Sequence, residues 1–277
     1  MSTCSRCKTQ IDPGKSKCPN CGLWNVGDSS SDLDDKSISL ADVVSADDDR
    51  MYTGAWDECF GFPSDPSKKE PGIVRTSASL IGGAPGAGKS TLVLQIANAV
   101  AGRYGEVIYL MAEEALPEVK MRADRLQLTN VRPIRMVNAL SGNVSLRDVV
   151  NARVKNAGHR PYLVLVDSLQ SLVGSDDALQ LEVCKACKEF ATSLHAPFII
   201  VSHVTKEEVI AGKLALQHQV DTTMTFFADD MGIRVLHVEK NRFGRAHVEK
   251  EFLMTEKGLF PVPESDETED DEDDENE

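Results

Sequence analysis

The sequence predicts an α/β protein built on a mostly parallel sheet with helices on both faces, finished by antiparallel strands. Three observations predict it. Short apolar runs recur over residues 78–81, 107–111, 162–166 and 198–201, and strands apolar on both faces belong to sheets covered on both sides. Helix-like stretches lie around them at 89–101, 116–127, 145–157 and 177–195, the alternation a parallel sheet with crossover helices requires. Residues 222–227, 233–238 and 248–254 then follow one another with only turns between, so the sheet ends antiparallel.

The chain of 277 residues is long enough for one large domain and a small companion. No apolar run approaches the roughly 18 residues that a membrane span needs, and the N-terminus Met1-Ser2-Thr3-Cys4 has no apolar signal core. A cytoplasmic location is therefore expected, without contact with a membrane. The seven cysteines, an odd number in a reducing compartment, argue against a disulfide framework.

Net charge is −14, but it is unevenly spread. Residues 264–277 hold eleven carboxylates and no base, and residues 28–50 hold eight carboxylates against two bases, which leaves the remainder nearly neutral. Like charges repel and these segments have little apolar surface to offset ordering. The organisation expected is a small N-terminal module over 1–27, an acidic linker over 28–50, the α/β domain over 51–263 and an acidic tail over 264–277. The tail is read as a solubilising end whose dense negative charge could compete with nucleic acid for basic loops.

Cys4-Ser5-Arg6-Cys7 and Cys18-Pro19-Asn20-Cys21 are two C-x2-C pairs ten residues apart. Four thiolates at this spacing suit one tetrahedral zinc ion, and no ligand position is left open, so the site is expected to be structural. A module of about 20 residues cannot bury a core of its own, so zinc would supply its folding free energy.

Gly83-Ala84-Pro85-Gly86-Ala87-Gly88-Lys89-Ser90 fits G-x4-G-K-[ST], directly after a strand-like run and directly before a helical one. Such a loop curls its N–H groups around phosphates, aided by the helix N-terminus, with the lysine reaching the terminal phosphates and the serine holding magnesium. Residues Gly83 through Ser90, with Thr91, are the expected nucleotide-binding set. Asp167 closes the apolar run Leu163-Val164-Leu165-Val166 and is expected to partner magnesium with Ser90. Glu113, favoured over Glu114, follows the strand 107–111 and could polarise an attacking water. His203, at the end of the 198–201 strand, could report nucleotide state to the loop after it.

His203-Val204-Thr205-Lys206-Glu207, Val220-Asp221-Thr222, Lys240-Asn241-Arg242-Phe243-Gly244 and Met254-Thr255-Glu256-Lys257-Gly258-Leu259 closely resemble runs of the bacterial RadA (Sms) DNA repair family, RecA-type ATPases. The four-cysteine ribbon and phosphate loop occur in that family in the same order. The resemblance covers about residues 1–27 and 51–263. It implies a RecA-like P-loop core and a ring- or filament-forming ATPase that binds single-stranded or branched DNA, works in recombination and repair, and has a possible recombinase or helicase partner. The resemblance further implies a nucleotide lying between subunits, with Lys240 and Arg242 reaching across as trans-acting cations. It places DNA-binding loops near 168–178 and 205–218, with Lys206 and Lys213 as phosphate contacts.

Family members carry a Lon-protease-like domain after the ATPase core, whereas here the core is followed by the acidic tail. No Ser-Lys dyad suggests proteolysis, and no N-K-x-D string suggests a Ras-type GTPase. The residues alone do not choose adenine over guanine, and it is the resemblance that implies ATP. Cys184-Lys185-Ala186-Cys187 repeats the C-x2-C spelling in a helical stretch with no partnering pair, and is read as a buried helix face. The leading function is a DNA-stimulated ATPase coupled to strand processing or branch migration. The alternatives are a replicative-type ring helicase and a slowly hydrolysing, nucleotide-switched loader or regulator.

Overall fold

The computed structural model describes residues 2–3, 9–11, 19–20, 49–62, 71–139, 146, 148, 161–203 and 214–263. Two compact units result, Met1–Ser45 and Ala46–Glu277. In the first, β1 (Ser2–Thr3) pairs antiparallel with β2 (Gln10–Ile11), and the Asn20 amide donates to the Thr9 hydroxyl at 3.2 Å. The expected zinc ligands Cys4, Cys7, Cys18 and Cys21 lie outside the described residues, as does the tail.

The second unit opens with β3 (Arg50–Met51), α1 (Asp57–Phe60) and β4 (Ile73–Val74). There follow β5 (Ala78–Gly83), α2 (Lys89–Arg103), β6 (Val107–Met111), α3 (Leu116–Arg125), β7 (Ile134–Asn138) and β8 (Leu163–Asp167). Next come α4 (Leu169–Val173), α5 (Asp177–Leu194), β9 (Phe198–His203) and α6 (Leu214–Gln219). The antiparallel end is β10 (Thr222–Ala228), β11 (Arg234–Asn241), β12 (Glu249–Thr255) and β13 (Gly258–Pro261). Nine of these strands form one sheet in the order β13-β12-β11-β10-β5-β9-β8-β6-β7. The pairings from β7 through β10 are parallel, and β10 to β13 pair antiparallel.

Successive strand residues point to opposite faces, and the core divides accordingly. Val107, Tyr109, Met111, Leu163, Leu165, Ile199 and Val201 pack with Leu92, Val93, Ile96 and Val100 of α2. Ile108, Leu110, Val164, Val166, Phe198 and Ile200 pack on the other face with Cys184, Cys187, Phe190 and Ala191 of α5. Each such fully buried aliphatic or aromatic side chain contributes about 1.5–3 kcal/mol relative to exposure. Cys184 and Cys187 are fully buried, in keeping with a packed helix face. Burial pushes the Cys187 thiol well above its ordinary range, Cys184 adding to it.

Three parallel strands run further than their apolar runs, to Gly83, Asp167 and His203. The registers Gly83↔His203 and Met111↔Asp167 bring four strand ends to one edge of the sheet, where open α/β sheets bind ligands. Of the expected helix at 145–157, only Leu146 and Asp148 are described, both helical. Asp49 and Arg50, read from sequence as the end of a linker, belong to the folded unit. Arg50 pairs with Val74 and donates to the carbonyls of Gly61, Gly72 and Phe243, and Asp49 meets Arg75 and His195. Among the described residues no helix is long and apolar enough to cross a membrane.

Candidate functional site

The loop from Gly83 to Gly88 leaves β5 and enters α2, whose N-terminus has no side-chain cap. Its first amide groups are therefore open to an anionic ligand. Gly83 is fixed by space against backbone, and Gly88 by its left-handed φ, since the methionine end that it meets can move. A Cβ at Gly83 (φ +155°) would lie 2.1 Å from the Phe226 carbonyl oxygen, and one at Gly88 (φ +105°) 2.5 Å from the Met254 methyl. The Lys89 ammonium folds back on the loop, donating to the carbonyls of Gly83 at 2.6 Å and Ala84 at 2.8 Å. Burial lowers its pKa, against the pull of the Asp167 and Glu113 charges.

Asp167 is 6% exposed. Its Oδ2 accepts from the Tyr109 hydroxyl at 2.6 Å, while Oδ1 is buried with no hydrogen-bond partner. Burial raises its carboxyl pKa, and the hydroxyls of Tyr109 and Ser90 work against that rise. An orphaned carboxylate oxygen and the Ser90 hydroxyl are oxygen donors that fit a hard divalent cation.

The two adjacent glutamates are sorted by their partners. Glu114 is held bidentately by Arg122 at 2.6 and 2.5 Å, a pair that occupies both of its oxygens and raises the guanidinium pKa. Glu113 instead places Oε2 2.7 Å from His203 Nε2 and 3.4 Å from the hydroxyls of Ser168 and Ser171. His203 is itself fixed, because Gln170 accepts from its backbone N–H at 2.9 Å and donates to the Ser202 hydroxyl at 2.8 Å.

Lys89, Ser90, Glu113, Glu114 and His203 line a cleft of about 420 Å³ that also takes in Arg122, Arg125, Arg234, Met254 and Thr255. The Arg234 guanidinium donates to the Ala87 carbonyl at 3.0 Å, and Arg125 to that of Glu256 at 2.7 Å. Tyr109, Gln170, Arg122 and Arg234 were not singled out from the sequence. Tyr109 reads there as one more apolar strand residue. The three others carry no local motif.

Lys240 and Arg242 lie elsewhere. Arg234, which touches the phosphate loop, begins β11, and Arg242 comes just after the strand's end at Asn241. At a rise of about 3.3 Å per residue the two are about 26 Å apart. Lys240 donates to the carbonyls of Gln217 and Val220 at 2.6 and 2.8 Å, tying the end of α6. Its pKa is lowered by burial and by Arg242. The Arg242 side chain is 56% exposed and 3.4 Å from Asp221. Buried Asp221 also accepts from the Ala78 N–H and the Lys188 ammonium.

Residues 168–178, expected to include a DNA-binding loop, form α4 and the start of α5, where Asp176 accepts from the N–H groups of Ala178 and Leu179. Lys206 and Lys213 lie outside the described residues.

A model of the AAA domain matches residues 56–209. The chain is 30% identical to the DNA repair protein RadA of Bacillus subtilis over 94% of its own length and 58% of that protein's. For RadA of Aquifex aeolicus the figures are 32%, 94% and 59%, and for RadA of Rickettsia bellii 31%, 94% and 59%. The chain thus spans under three-fifths of these relatives. Among solved structures, a KaiC-like protein of Pyrococcus horikoshii superimposes with a TM-score of 0.60 at 15% identity, over 77% of this chain and 99% of that one, which establishes the RecA-like, KaiC-like fold. The chain therefore belongs to the AAA-domain family and, along nearly its whole length, is a relative of the bacterial DNA repair proteins RadA.

Proposed function

We propose that the chain is an ATP hydrolase of DNA repair and recombination, slow at rest and stimulated by single-stranded or branched DNA. The observation that carries this reading is that Lys89, Ser90 and Glu113 line one cleft, while Ser90 and Glu113 also wall a small void with Asp167, whose Oδ1 is unpartnered. The phosphate loop binds the triphosphate through its N–H groups and Lys89. Ser90 and Asp167 are the residues that would hold a magnesium ion, which when bound neutralises charge on the phosphates. Glu113 orients the attacking water and takes up its proton.

Slow resting turnover is supported by the His203 contact, which occupies the Glu113 carboxylate. The same contact favours, as a second reading, a nucleotide-switched loader in which hydrolysis ends a bound state. Arg242 with Lys240 completes the nucleotide site of a neighbouring copy in a ring or filament, and Lys206 and Lys213 contact DNA phosphates. Cys4, Cys7, Cys18 and Cys21 hold a structural zinc ion.

ATP hydrolysis measured with and without single-stranded DNA, beside the native mass of the assembly, tests the proposal. Magnesium-dependent turnover that rises with DNA in an oligomer is expected. Absence of turnover in both conditions overturns the enzyme reading, and turnover indifferent to DNA favours the loader.

A further inference from the structure

We propose that Tyr109 is the positioning residue of the nucleotide-bound metal: its hydroxyl holds one oxygen of Asp167 so that the other faces Ser90 and the phosphate loop. This rests on the nucleotide-site reading above and assigns a role to a residue outside every motif in the sequence.

The placement follows from sheet register. Tyr109 stands opposite Leu165, and Met111 opposite Asp167. The odd-numbered residues of β6 and β8 share the α2 face, so Tyr109 is the diagonal neighbour of Asp167 on that face. In this parallel pair, strands about 4.8 Å apart and a two-residue offset of about 6.6 Å put the two backbones about 8 Å apart, within reach of an aromatic side chain and not of a short one. The ring is 1% exposed, and its hydroxyl is 2.6 Å from Oδ2.

A phenylalanine would fill the same volume without placing a polar group in the core. A buried hydroxyl is tolerated only when it is hydrogen-bonded, and here its partner is the metal-binding candidate itself. The bond leaves Oδ1 as the unpartnered oxygen. A small void of about 10 Å³ adjoins the pair, walled by Ser90, Tyr109, Glu113, Glu114 and Asp167 among others. Without the hydroxyl the carboxylate has a second buried oxygen to satisfy, and only the Ser90 hydroxyl is left to orient it.

The test uses the full chain and a fluorescent ATP analogue, titrated with Mg2+ and again in EDTA. In Tyr109→Phe the Mg2+ concentration that half-restores tight binding is expected to rise about tenfold, the effect of losing one hydrogen bond to a charged group. Affinity in EDTA stays within about twofold, because Tyr109 does not touch the phosphate loop's own contacts. Adding Tyr109→Phe to Asp167→Asn produces no further change. An unaltered Mg2+ dependence in Tyr109→Phe, or an additive effect in the double variant, overturns the proposal. If the wild-type chain binds nucleotide with no help from Mg2+, the metal-dependent reading of the site fails with it, an outcome visible before any variant is made. A measurement on the wild type guards against a misfolded variant. With 3-fluorotyrosine at the four tyrosines, the 19F signal of the one fully buried ring shifts on adding Mg2+ at saturating nucleotide; a signal indifferent to Mg2+ sinks the idea.

Discussion

His203 Nε2 lies 2.7 Å from Glu113 Oε2, joining the tip of β9 to the residue that follows β6. The Glu113 side chain is about half exposed, so the pair adds little to stability, of the order of 1 kcal/mol or less. What it controls is orientation. His203→Ala is expected to raise kcat without DNA several-fold while leaving KM for ATP within about twofold, since the imidazole occupies the water-orienting carboxylate and does not act on binding. Glu113→Gln is expected to lower kcat by about 10²–10⁴ with nucleotide affinity intact. Steady-state hydrolysis beside equilibrium nucleotide binding checks both, and a matching loss of affinity would assign Glu113 to binding instead.

Lys89 is buried, and among the described residues its amine donates to loop carbonyls alone. Burial lowers its pKa, so in the nucleotide-free fold the charge is a cost that a bound triphosphate relieves. Lys89→Met removes the charge and keeps the stem. Its melting temperature without nucleotide is expected to stay within a few degrees of wild type, the cost of two lost hydrogen bonds being offset by the relieved desolvation. The rise in melting temperature on adding Mg-ATP disappears. Thermal unfolding with and without nucleotide measures this, and a retained ATP-dependent rise contradicts the role given to the lysine.

How much of this was legible in the sequence depends on whether the signal is local. The phosphate loop carries its own meaning, because glycine spacing, lysine and serine act within eight residues. The apolar runs of β5, β6, β8 and β9 are equally local, and each falls within about two residues of its strand. β7 escaped because Ile134-Arg135-Met136-Val137-Asn138 is an edge strand with a mixed burial pattern, and β13 because four residues are too short for periodicity. The roles of Tyr109 and Arg122 depend on which strand or turn lies opposite, and the same holds for Arg50, whose guanidinium meets Phe243 across 193 positions of sequence. The sequence text offers no trace of such pairings.

Asp57 provides a pH test of the packing around β3 and α1. It accepts from the Thr53 N–H and hydroxyl at 2.5 and 2.6 Å. Burial outweighs those bonds and raises its pKa from 3.8 to about 6. The folded state therefore binds this proton more tightly than the unfolded chain. Its stabilising contribution is complete below pH 4 and is lost as pH rises through about 6. Urea unfolding should show wild type losing about 1–3 kcal/mol relative to Asp57→Asn between pH 4 and 7.5. Parallel pH profiles for the two proteins rule the linkage out.

The K-N-R-F-G string packs by glycine contact. A Cβ at Gly244 would lie 2.7 Å from the Gly61 Cα, and one at Gly61 2.7 Å from the Phe243 carbonyl oxygen. Asn241 donates to the Phe60 carbonyl at 3.1 Å in the same contact. Gly244→Ala must push two backbones apart, so it is expected to cost about 1–3 kcal/mol in chemical unfolding. Arg242→Ala, truncating a side chain that is mostly in solvent, is expected to cost less than about 0.5 kcal/mol. Equal costs would mean that the string is held by its charges and not by its close approach.

That difference makes Arg242 a clean probe of where it acts. Its own phosphate loop is out of reach, because β11 carries Arg234 to Ala87 at one end and runs away from the site before Arg242. If Arg242 serves the nucleotide of an adjoining copy, Arg242→Ala and Lys89→Ala are each inactive as pure proteins, for opposite reasons. Mixed and allowed to exchange, they form some interfaces in which the Arg242→Ala copy supplies the lysine and the Lys89→Ala copy supplies the arginine. Random assembly makes about a quarter of interfaces competent in this way. Recovery of about a quarter of wild-type hydrolysis on mixing equal amounts is the expected result. A mixture as inactive as its components, under conditions where native mass shows subunit exchange, places the Arg242 requirement within its own chain and removes the shared site.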